Sequence, residues 1–357
     1  MSLALITGSC GLVGSESALF FSKKGFDVIG IDNNARKFFF GKDGDISWIK
    51  SKLKKEIKRY FHYNLDIRNY DSIKKIFKKY NKRINVIIHC AAQPSHDWAK
   101  NKAFIDFEIN AKGTLNLLEL TKIYCPDTPF IFMSTNKVYG DNPNILPLVE
   151  KKTRWEIKNH HKYKNGIDES MSLDNCTHSF FGTSKAYADL VVQEYGKNVG
   201  LKTSCFRAGC ITGPNHSGAK LHGFLSYLVK SSVKNKKYTL IGYKGKQVRD
   251  NIHSHDLVNC FWEYFKKPKN GEIYNTGGGR FSNCSIVEAL DIIEDVKKIK
   301  IKRTILKQNR VGDHIWYISN MKKFKKDYPK WKQKFSTKKI LLELMDEFSP
   351  KKFYSTY

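Results

Sequence analysis

LALITGSCGLVG (residues 3–14) joins an apolar run to a glycine-rich turn, and the turn opens directly into a helical pattern. Glycines at such a junction let backbone N–H groups approach a pyrophosphate at the N-terminus of the helix, where the helix dipole favours negative charge. The spacing G-x-x-G-x-x-G therefore predicts a dinucleotide-binding turn after the first strand. The residues predicted to contact the dinucleotide here are Gly8, Gly11, Leu12, Val13 and Gly14.

Beyond this turn, apolar runs alternate with amphipathic helical patterns. The runs lie at residues 3–8, 26–32, 61–67, 86–92 and 130–135. Strand, helix, strand repeated in this way predicts an α/β fold, namely a Rossmann-type doubly wound parallel sheet with a smaller C-terminal substrate-binding domain. The segments become shorter after about residue 212, so we expect two interleaved domains. Their predicted extents are 1–211 plus part of 238–275 for the cofactor-binding domain, and 212–237 with 276–357 for the substrate-binding domain.

The ends of the predicted strands carry groups that suit a dinucleotide. Asp32 ends the second run, where its carboxylate can accept hydrogen bonds from ribose hydroxyls and repel a 2′-phosphate. This favours NAD over NADP, although the nearby Arg36 leaves NADP open as the alternative. The further predicted cofactor contacts are Asn33, Asp66, Ile67, Ala91, Ala92 and Gln93.

Two later motifs place polar groups near the same edge of the sheet. STNKVYG (134–140) follows the fifth run, and the Thr135 hydroxyl can bond a sugar hydroxyl. In SFFGTSK (179–185), Phe181 and Lys185 stand four residues apart and so share one face of a helix.

Together these motifs resemble the extended short-chain dehydrogenase/reductases that act on nucleotide sugars, and within that family the CDP-paratose 2-epimerases, also called CDP-tyvelose epimerases. The resemblance covers nearly the whole chain. It rests on TGSCGLVGSE, DFEINAKGTLNLLE, STNKVYGD, KKTRWEI, NGIDES, HSFFGTSK and GKQVRDNIHSHDL.

The resemblance implies an NAD-dependent epimerase that takes a hydride from C2 of a CDP-hexose, forms a 2-keto intermediate and returns the hydride to the opposite face. It implies that Thr135 is the catalytic Ser/Thr, and that Lys185 binds the nicotinamide ribose and lowers the pKa of a catalytic tyrosine. Asn110 matches a supporting asparagine near the cofactor. Arg249 and Arg310 match positions that contact the phosphates or ribose of the nucleotide.

The family pattern is broken at the position four residues before Lys185, where the catalytic tyrosine is replaced by Phe181. A phenyl ring cannot accept the proton of a hydroxyl group. Two interpretations stay open. Either another group is the base, with Lys185, Tyr163, His178 and Lys137 as candidates, or the protein binds NAD and a nucleotide sugar without redox turnover.

The substrate side of the site is less specific. Asn136 and Lys137 follow Thr135 in the place where nucleotide-sugar dehydratases carry two carboxylates, so a redox epimerisation is favoured over dehydration. Both are predicted substrate contacts, as are His216 and Lys246 in loops expected to face the cleft.

Composition limits the remaining possibilities. The 357 residues carry a formal net charge of +29, but the lysines are spread over many predicted surface helices, so we expect no nucleic-acid partner. The eight cysteines show no metal-ligand spacing, which predicts neither a metal site nor disulfides. We expect no membrane segment, no secretory signal and a cytoplasmic location. The family implies a homodimer or homotetramer formed through the helix around 103–124 and the helix after Phe181.

Overall fold

The computed structural model describes residues 2–216, 223–306 and 312–349, and a seven-stranded parallel sheet lies at its centre. The strands of the described chain, in order, are β1 (Leu3–Thr7), β2 (Asp27–Ile31), β3 (Tyr60–Tyr63), β4 (Ile84–His89), β5 (Phe130–Thr135), β6 (Leu148–Glu150), β7 (Trp155–Ile157), β8 (Thr203–Ala208), β9 (Cys210–Thr212), β10 (Tyr238–Ile241), β11 (Val248–His253), β12 (Glu272–Thr276), β13 (Asn283–Ser285), β14 (Arg303–Leu306) and β15 (Trp316–Tyr317).

The α-helices connect these strands and cover the sheet. They are α1 (Leu12–Lys23), α2 (Ala35–Phe40), α3 (Ser47–Glu56), α4 (Tyr70–Tyr80), α5 (His96–Asn101), α6 (Ala103–Phe107), α7 (Gly113–Tyr124), α8 (Phe180–Lys197), α9 (Phe224–Val233), α10 (Ser254–Lys266), α11 (Ile286–Lys297), α12 (Lys322–Asp327) and α13 (Thr337–Phe348). A π-helical turn, Glu108–Lys112, lies between α6 and α7. Within the described residues, no helix has the length and apolar composition needed to cross a membrane.

The central sheet has the strand order β12-β8-β5-β4-β1-β2-β3, and all its neighbouring strands run parallel. The predicted doubly wound α/β fold is confirmed. The direction of winding reverses between β1 and β4, and in open α/β sheets the crevice at the carboxyl ends of such strands binds ligands. The third strand ends at Tyr63, so Asp66 and Ile67 lie in the loop beyond it.

Both faces of the sheet are buried because helices pack on each side. Side chains alternate along a strand, so Ala4 and Ile6 of β1 enter a core shared with α1, α3 and α10. Leu3 and Leu5 enter the opposite core, shared with α4, α7 and α8. This explains why the strands are apolar at nearly every position instead of alternating with polar residues.

The last third of the chain builds a smaller layer beside the carboxyl edge of the sheet. Helices α9, α11 and α13 share a third core with β10, which pairs in parallel with β14. β12 returns to the central sheet beside β8, and α12 packs on the core of α1 and α10. The two parts are thus interleaved in sequence, and the predicted domain limits stay a prediction.

Candidate active site

A cavity of about 840 Å³ brings together most of the residues predicted to form the site. The predicted cofactor contacts that line it are Gly8, Gly11, Leu12, Val13, Gly14, Asp32, Asn33, Asp66, Ile67, Ala91, Ala92 and Lys185. The predicted catalytic and substrate residues that line it are Thr135, Asn136, Lys137, Lys185, His216 and Arg249.

The glycine turn is shaped so that backbone, and not side chain, faces the cavity. Gly8 has φ +66°, and a Cβ on it would lie 2.7 Å from the backbone nitrogen of Ala91. A Cβ on Gly14 would lie 2.0 Å from the Gly8 carbonyl oxygen, so α1 approaches the turn as closely as only glycine allows. Among the described residues no side chain caps the N-terminus of α1, and its first turn holds no acidic residue. These features fit a bound pyrophosphate.

Asp32 is held rigidly at the end of β2. Its carboxylate accepts hydrogen bonds from the N–H groups of Cys10 at 2.9 Å and Asn34 at 2.8 Å. Burial raises the pKa of the carboxyl group, while these two donors and the charge of Arg36 oppose the rise. Arg36 lines the same cavity. The role of Asp32 toward a ribose stays a prediction.

Gln93 and Asn110 are buried but do not line the cavity. The Asn110 side chain accepts from the Gln93 N–H at 2.9 Å, and its amide donates to Asp106 at 3.1 Å and to Ser184 at 3.0 Å. The pair therefore fixes the loop after β4 against α8, one residue before Lys185. Gln93 and Asn110 thus lie behind the residues that line the cavity. This position does not support their predicted direct contact with a cofactor.

Lys185 lines the cavity although it is almost fully buried, and its ammonium is fixed in place. Its ammonium donates to the carbonyl of Met133 at 2.9 Å and lies 4.0 Å from the centre of the Phe132 ring. Burial lowers the pKa of Lys185 to about 8, against the opposing charge of Asp189. Thr135, at the end of β5, lines the same cavity and accepts a hydrogen bond from the Lys137 N–H at 3.2 Å.

Charged side chains lie on the cavity wall that the C-terminal part of the chain forms. Arg249 donates to the Val248 carbonyl at 2.8 Å and forms an ion pair with Asp313. Burial alone would raise the pKa of Asp313, but the charges of Arg249 and Lys137 hold it well below its usual range. The wall therefore combines a guanidinium, an ammonium and an ionised carboxylate.

Three other predicted substrate residues differ in placement. Lys246 is not brought to the cavity, because its ammonium pairs with Glu150 at 2.7 Å. Arg310 lies outside the described residues. His216 lines the cavity, contacts Ser226 at 3.2 Å through Nδ1, and has its pKa lowered to about 3 by burial, so it is neutral.

Comparison with known proteins decides the family. Residues 4–277 match the NAD dependent epimerase/dehydratase family. The chain belongs to this family. It is an enzyme of the extended short-chain dehydrogenase/reductase type, and its cofactor is NAD.

Two curated relatives cover much of the chain. CDP-paratose 2-epimerase of Salmonella typhi is 31% identical over 96% of this chain and 98% of its own length. A dTDP-D-glucose 4,6-dehydratase of Dictyostelium discoideum is 30% identical over 76% of this chain and 57% of its own. In fold, UDP-glucuronic acid 4-epimerase from Bacillus cereus aligns with a TM-score of 0.77 at 21% identity, over 97% of this chain and 98% of that one.

The departure from the family at Phe181 is visible in the cavity. Phe181 lies in the first turn of α8, and its ring lines the cavity although only 7% of the residue is exposed. Of the predicted replacement bases, Lys137 and Lys185 line the cavity, whereas Tyr163 and His178 do not. The His178 ring instead lies 2.7 Å from the Val138 carbonyl oxygen.

His96 was missed by the sequence analysis. It begins α5 after the β4 loop, lines the cavity and packs edge-on against Phe181 with ring centres 4.8 Å apart. The sequence could have indicated His96 as a site residue, because QPSHD follows the carboxyl end of β4. The same reasoning selected STNK, which follows β5. The wall residue Asp313 was also missed, since its pairing with Arg249 joins distant parts of the chain.

Proposed function

We propose that the protein is a nucleotide-sugar epimerase that inverts C2 of a CDP-hexose through a transient 2-keto sugar. The observation that carries the proposal is that one cavity is lined by the glycine turn, by Thr135 with Lys185, and by Arg249. A dinucleotide and a nucleotide sugar can then lie against each other. The cavity of about 840 Å³ is at the upper end of ordinary ligand cavities.

Each part of the lining has a separate task in this proposal. NAD, when bound, exchanges a hydride with the sugar carbon. The uncapped end of α1 and Asp32 would hold its pyrophosphate and adenosine ribose, and Lys185 would hold its other ribose. Thr135 would bond a sugar hydroxyl near the reacting carbon. Arg249 would bind a phosphate of the substrate through its planar, charged donors.

The residues beside Thr135 favour epimerisation over dehydration. Elimination of water needs a carboxylic acid that can donate a proton, and the two residues after Thr135 are Asn136 and Lys137. Asp313 is the carboxyl group of the nearby wall, but its low pKa keeps it ionised and unable to donate.

The choice of a CDP-sugar and of C2 rests on the Salmonella typhi relative, which is named CDP-paratose 2-epimerase and aligns with 96% of this chain. We expect the purified protein to convert a CDP-hexose to its C2 epimer when CDP-, GDP- and UDP-sugars are compared, with the products resolved by NMR. Inversion at another carbon, or preference for another nucleotide, would correct the substrate assignment. Absence of any product across the panel would contradict the epimerase function.

A second function is favoured by Phe181, which removes the usual proton acceptor from the cavity. In that case the protein binds NAD and a nucleotide sugar without redox turnover. Absorbance at 340 nm separates the two functions. A rise from enzyme-bound NADH after mixing with CDP-sugars supports the epimerase, whereas tight sugar binding with no rise and no product supports the binding protein.

We also propose that two copies associate through α6 and α8, as the family implies. Phe104 is 89% exposed, and Phe107 and Phe180 are each at least half exposed beside a groove between these helices. Leu190 and Tyr187 continue the apolar surface along α8. Exposed aromatic and aliphatic side chains in one patch are typical of a protein interface. We call this set the α6/α8 patch.

A further inference from the structure

Oxidation of a sugar hydroxyl requires a proton acceptor, and the position that holds the catalytic tyrosine in the family does not supply one in this chain. The hydroxyl proton must pass to a nearby acceptor, and Phe181 has no atom that can take it. Another group must therefore replace the phenol, and its role rests on the proposed function.

An imidazole ring lies against Phe181 at this point. The ring of His96 meets that of Phe181 with centres 4.8 Å apart and an angle of 66° between their planes. Nδ1 of His96 lies 2.6 Å from Oγ of Ser179, the residue that caps α8. The backbone of Gly312 lies near the same nitrogen, since a Cβ built on Gly312 would be 3.4 Å from Nδ1. His96 thus lines the cavity beside Phe181, Ser179 and Gly312.

The two lysines of the cavity are less suited to the task. Lys137 donates to the Gly312 carbonyl at 2.8 Å, and Lys185 donates to the Met133 carbonyl at 2.9 Å. In these contacts each amine is a hydrogen-bond donor to the backbone. Histidine, by contrast, changes protonation near neutral pH and is the residue most often used as a general base.

We propose that His96 accepts the proton of the reacting sugar hydroxyl, with Ser179 as the residue that positions its ring. The Ser179 oxygen accepts from the Gly182 N–H at 3.1 Å and can also accept from Nδ1 of His96. That tautomer places the accepting lone pair on Nε2. The O–H proton moves to Nε2, the O–H electron pair becomes the second bond of the carbonyl, and the carbon loses the hydride that the proposed function assigns to NAD. The proton returns to the oxygen when the carbonyl is reduced.

The first test replaces the ring while keeping a polar side chain. In the NAD-loaded protein, His96→Gln should lower kcat roughly 10²- to 10⁴-fold, the range typical for loss of a general base. NAD affinity and melting temperature should stay near those of the unmodified protein. The pH profile of kcat/KM should lose the rising limb that deprotonation of the general base produces. His178→Gln is the matched control, since His178 is close in sequence but outside the cavity, and it should keep the limb.

The second test restores a proton acceptor at the family position. Phe181→Tyr added to His96→Gln should recover at least tenfold of the lost turnover, with the rising limb moved to a different pH. Independently of turnover, NMR of the imidazole C–H groups should show histidine signals that shift on addition of a CDP-sugar, and the signal missing in His96→Gln should be among them.

The outcomes separate the two proposals. If His96→Gln keeps its turnover and its pH limb while the unmodified protein is active, the role of His96 is overturned and the epimerase function stands. If the unmodified protein converts no nucleotide sugar, the proposed function falls, and the proton transfer falls with it.

Discussion

Lys185 shows how one side chain can be both buried and charged. Its ammonium has the Met133 carbonyl as acceptor and the face of Phe132 at 4.0 Å, and Asp189 supplies an opposing charge. These neighbours offset only part of the cost of removing a cation from water, so burial lowers the pKa of Lys185 to about 8. The side chain is fixed before any ligand binds, which suits the ribose contact proposed for Lys185.

This lowered pKa predicts a pH-dependent stability. The unfolded chain holds the Lys185 proton up to about pH 10.5, whereas the folded chain releases it near 8. Because the unfolded state then binds more protons, the free energy of unfolding should rise with pH between these values. We expect the unmodified protein to gain stability relative to Lys185→Met as pH rises from 8 to 10, in urea unfolding without added NAD. A constant difference across this window would contradict the buried cation.

Several predicted residues that line the cavity, such as Asp32 and Thr135, follow from local sequence. Asp32 follows directly from the end of its strand, and Thr135 from the end of β5. The prediction for Lys246 depended on a distant residue. Its partner Glu150 is 96 residues away, so the sequence around Lys246 does not indicate the ion pair. His96 and Phe181 come into contact only because α5 and α8 pack together. The motifs alone therefore predict neither this contact nor a role for His96 beside Phe181.

At the scale of elements, strands were easier to predict than helix details. The strands are apolar because both faces of the sheet are covered, and this gives continuous runs. The expected helix around 103–124 is instead divided into α6, the π-helical turn Glu108–Lys112 and α7. The π-helical turn places Asn110 where its side chain bonds to Gln93 and Ser184. Because these are tertiary contacts, the amphipathic pattern of the sequence does not predict the turn.

The turn between β1 and α1 predicts a sharp effect for one glycine. Both Gly8 and Gly25 have positive φ, but a Cβ would meet backbone atoms only at Gly8, while at Gly25 it would have no atom within 4 Å. Gly25→Ala should cost about 1 kcal/mol for backbone strain alone. Gly8→Ala should cost more and abolish NAD binding, measured by calorimetry and thermal melting. Equal stability and equal NAD affinity in the two variants would contradict the close approach.

The α6/α8 patch predicts an oligomer that a single charge can break. Phe104→Asp should convert a dimer to a monomer in size-exclusion chromatography with light scattering, because an aspartate at the centre of an apolar contact loses its hydration without a partner. Phe281 is the matched control, since it is 58% exposed on the turn between β12 and β13 and belongs to neither α6 nor α8. Phe281→Asp should leave the mass unchanged. A monomeric unmodified protein would contradict the proposed contact.

The whole molecule joins its two parts through buried polar contacts at the edge of the sheet. Asp250 on β11 accepts from the N–H groups of Ser319 at 2.9 Å and Gly279 at 3.1 Å. Nε2 of the buried His314 lies 2.8 Å from the Gly140 carbonyl oxygen. These bonds connect segments far apart in sequence, which explains why the shorter segments after residue 212 suggested an interleaved second part without fixing its limits.

The net charge of +29 is a property of the entire surface, and it predicts how substrates arrive. A positive field accelerates the approach of an anionic nucleotide sugar, and salt screens that field over about 10 Å at 0.1 M. We expect kcat/KM to fall as sodium chloride rises from roughly 20 to 200 mM, while kcat changes little because bound substrate no longer depends on steering.

An experiment with random-sequence duplex DNA distinguishes attraction of the sugar substrate from nucleic-acid binding. If the charge serves the sugar substrate, saturating duplex leaves NAD affinity unchanged, whereas displacement of NAD by the duplex would mean that the basic surface and the cofactor cavity serve a nucleic acid.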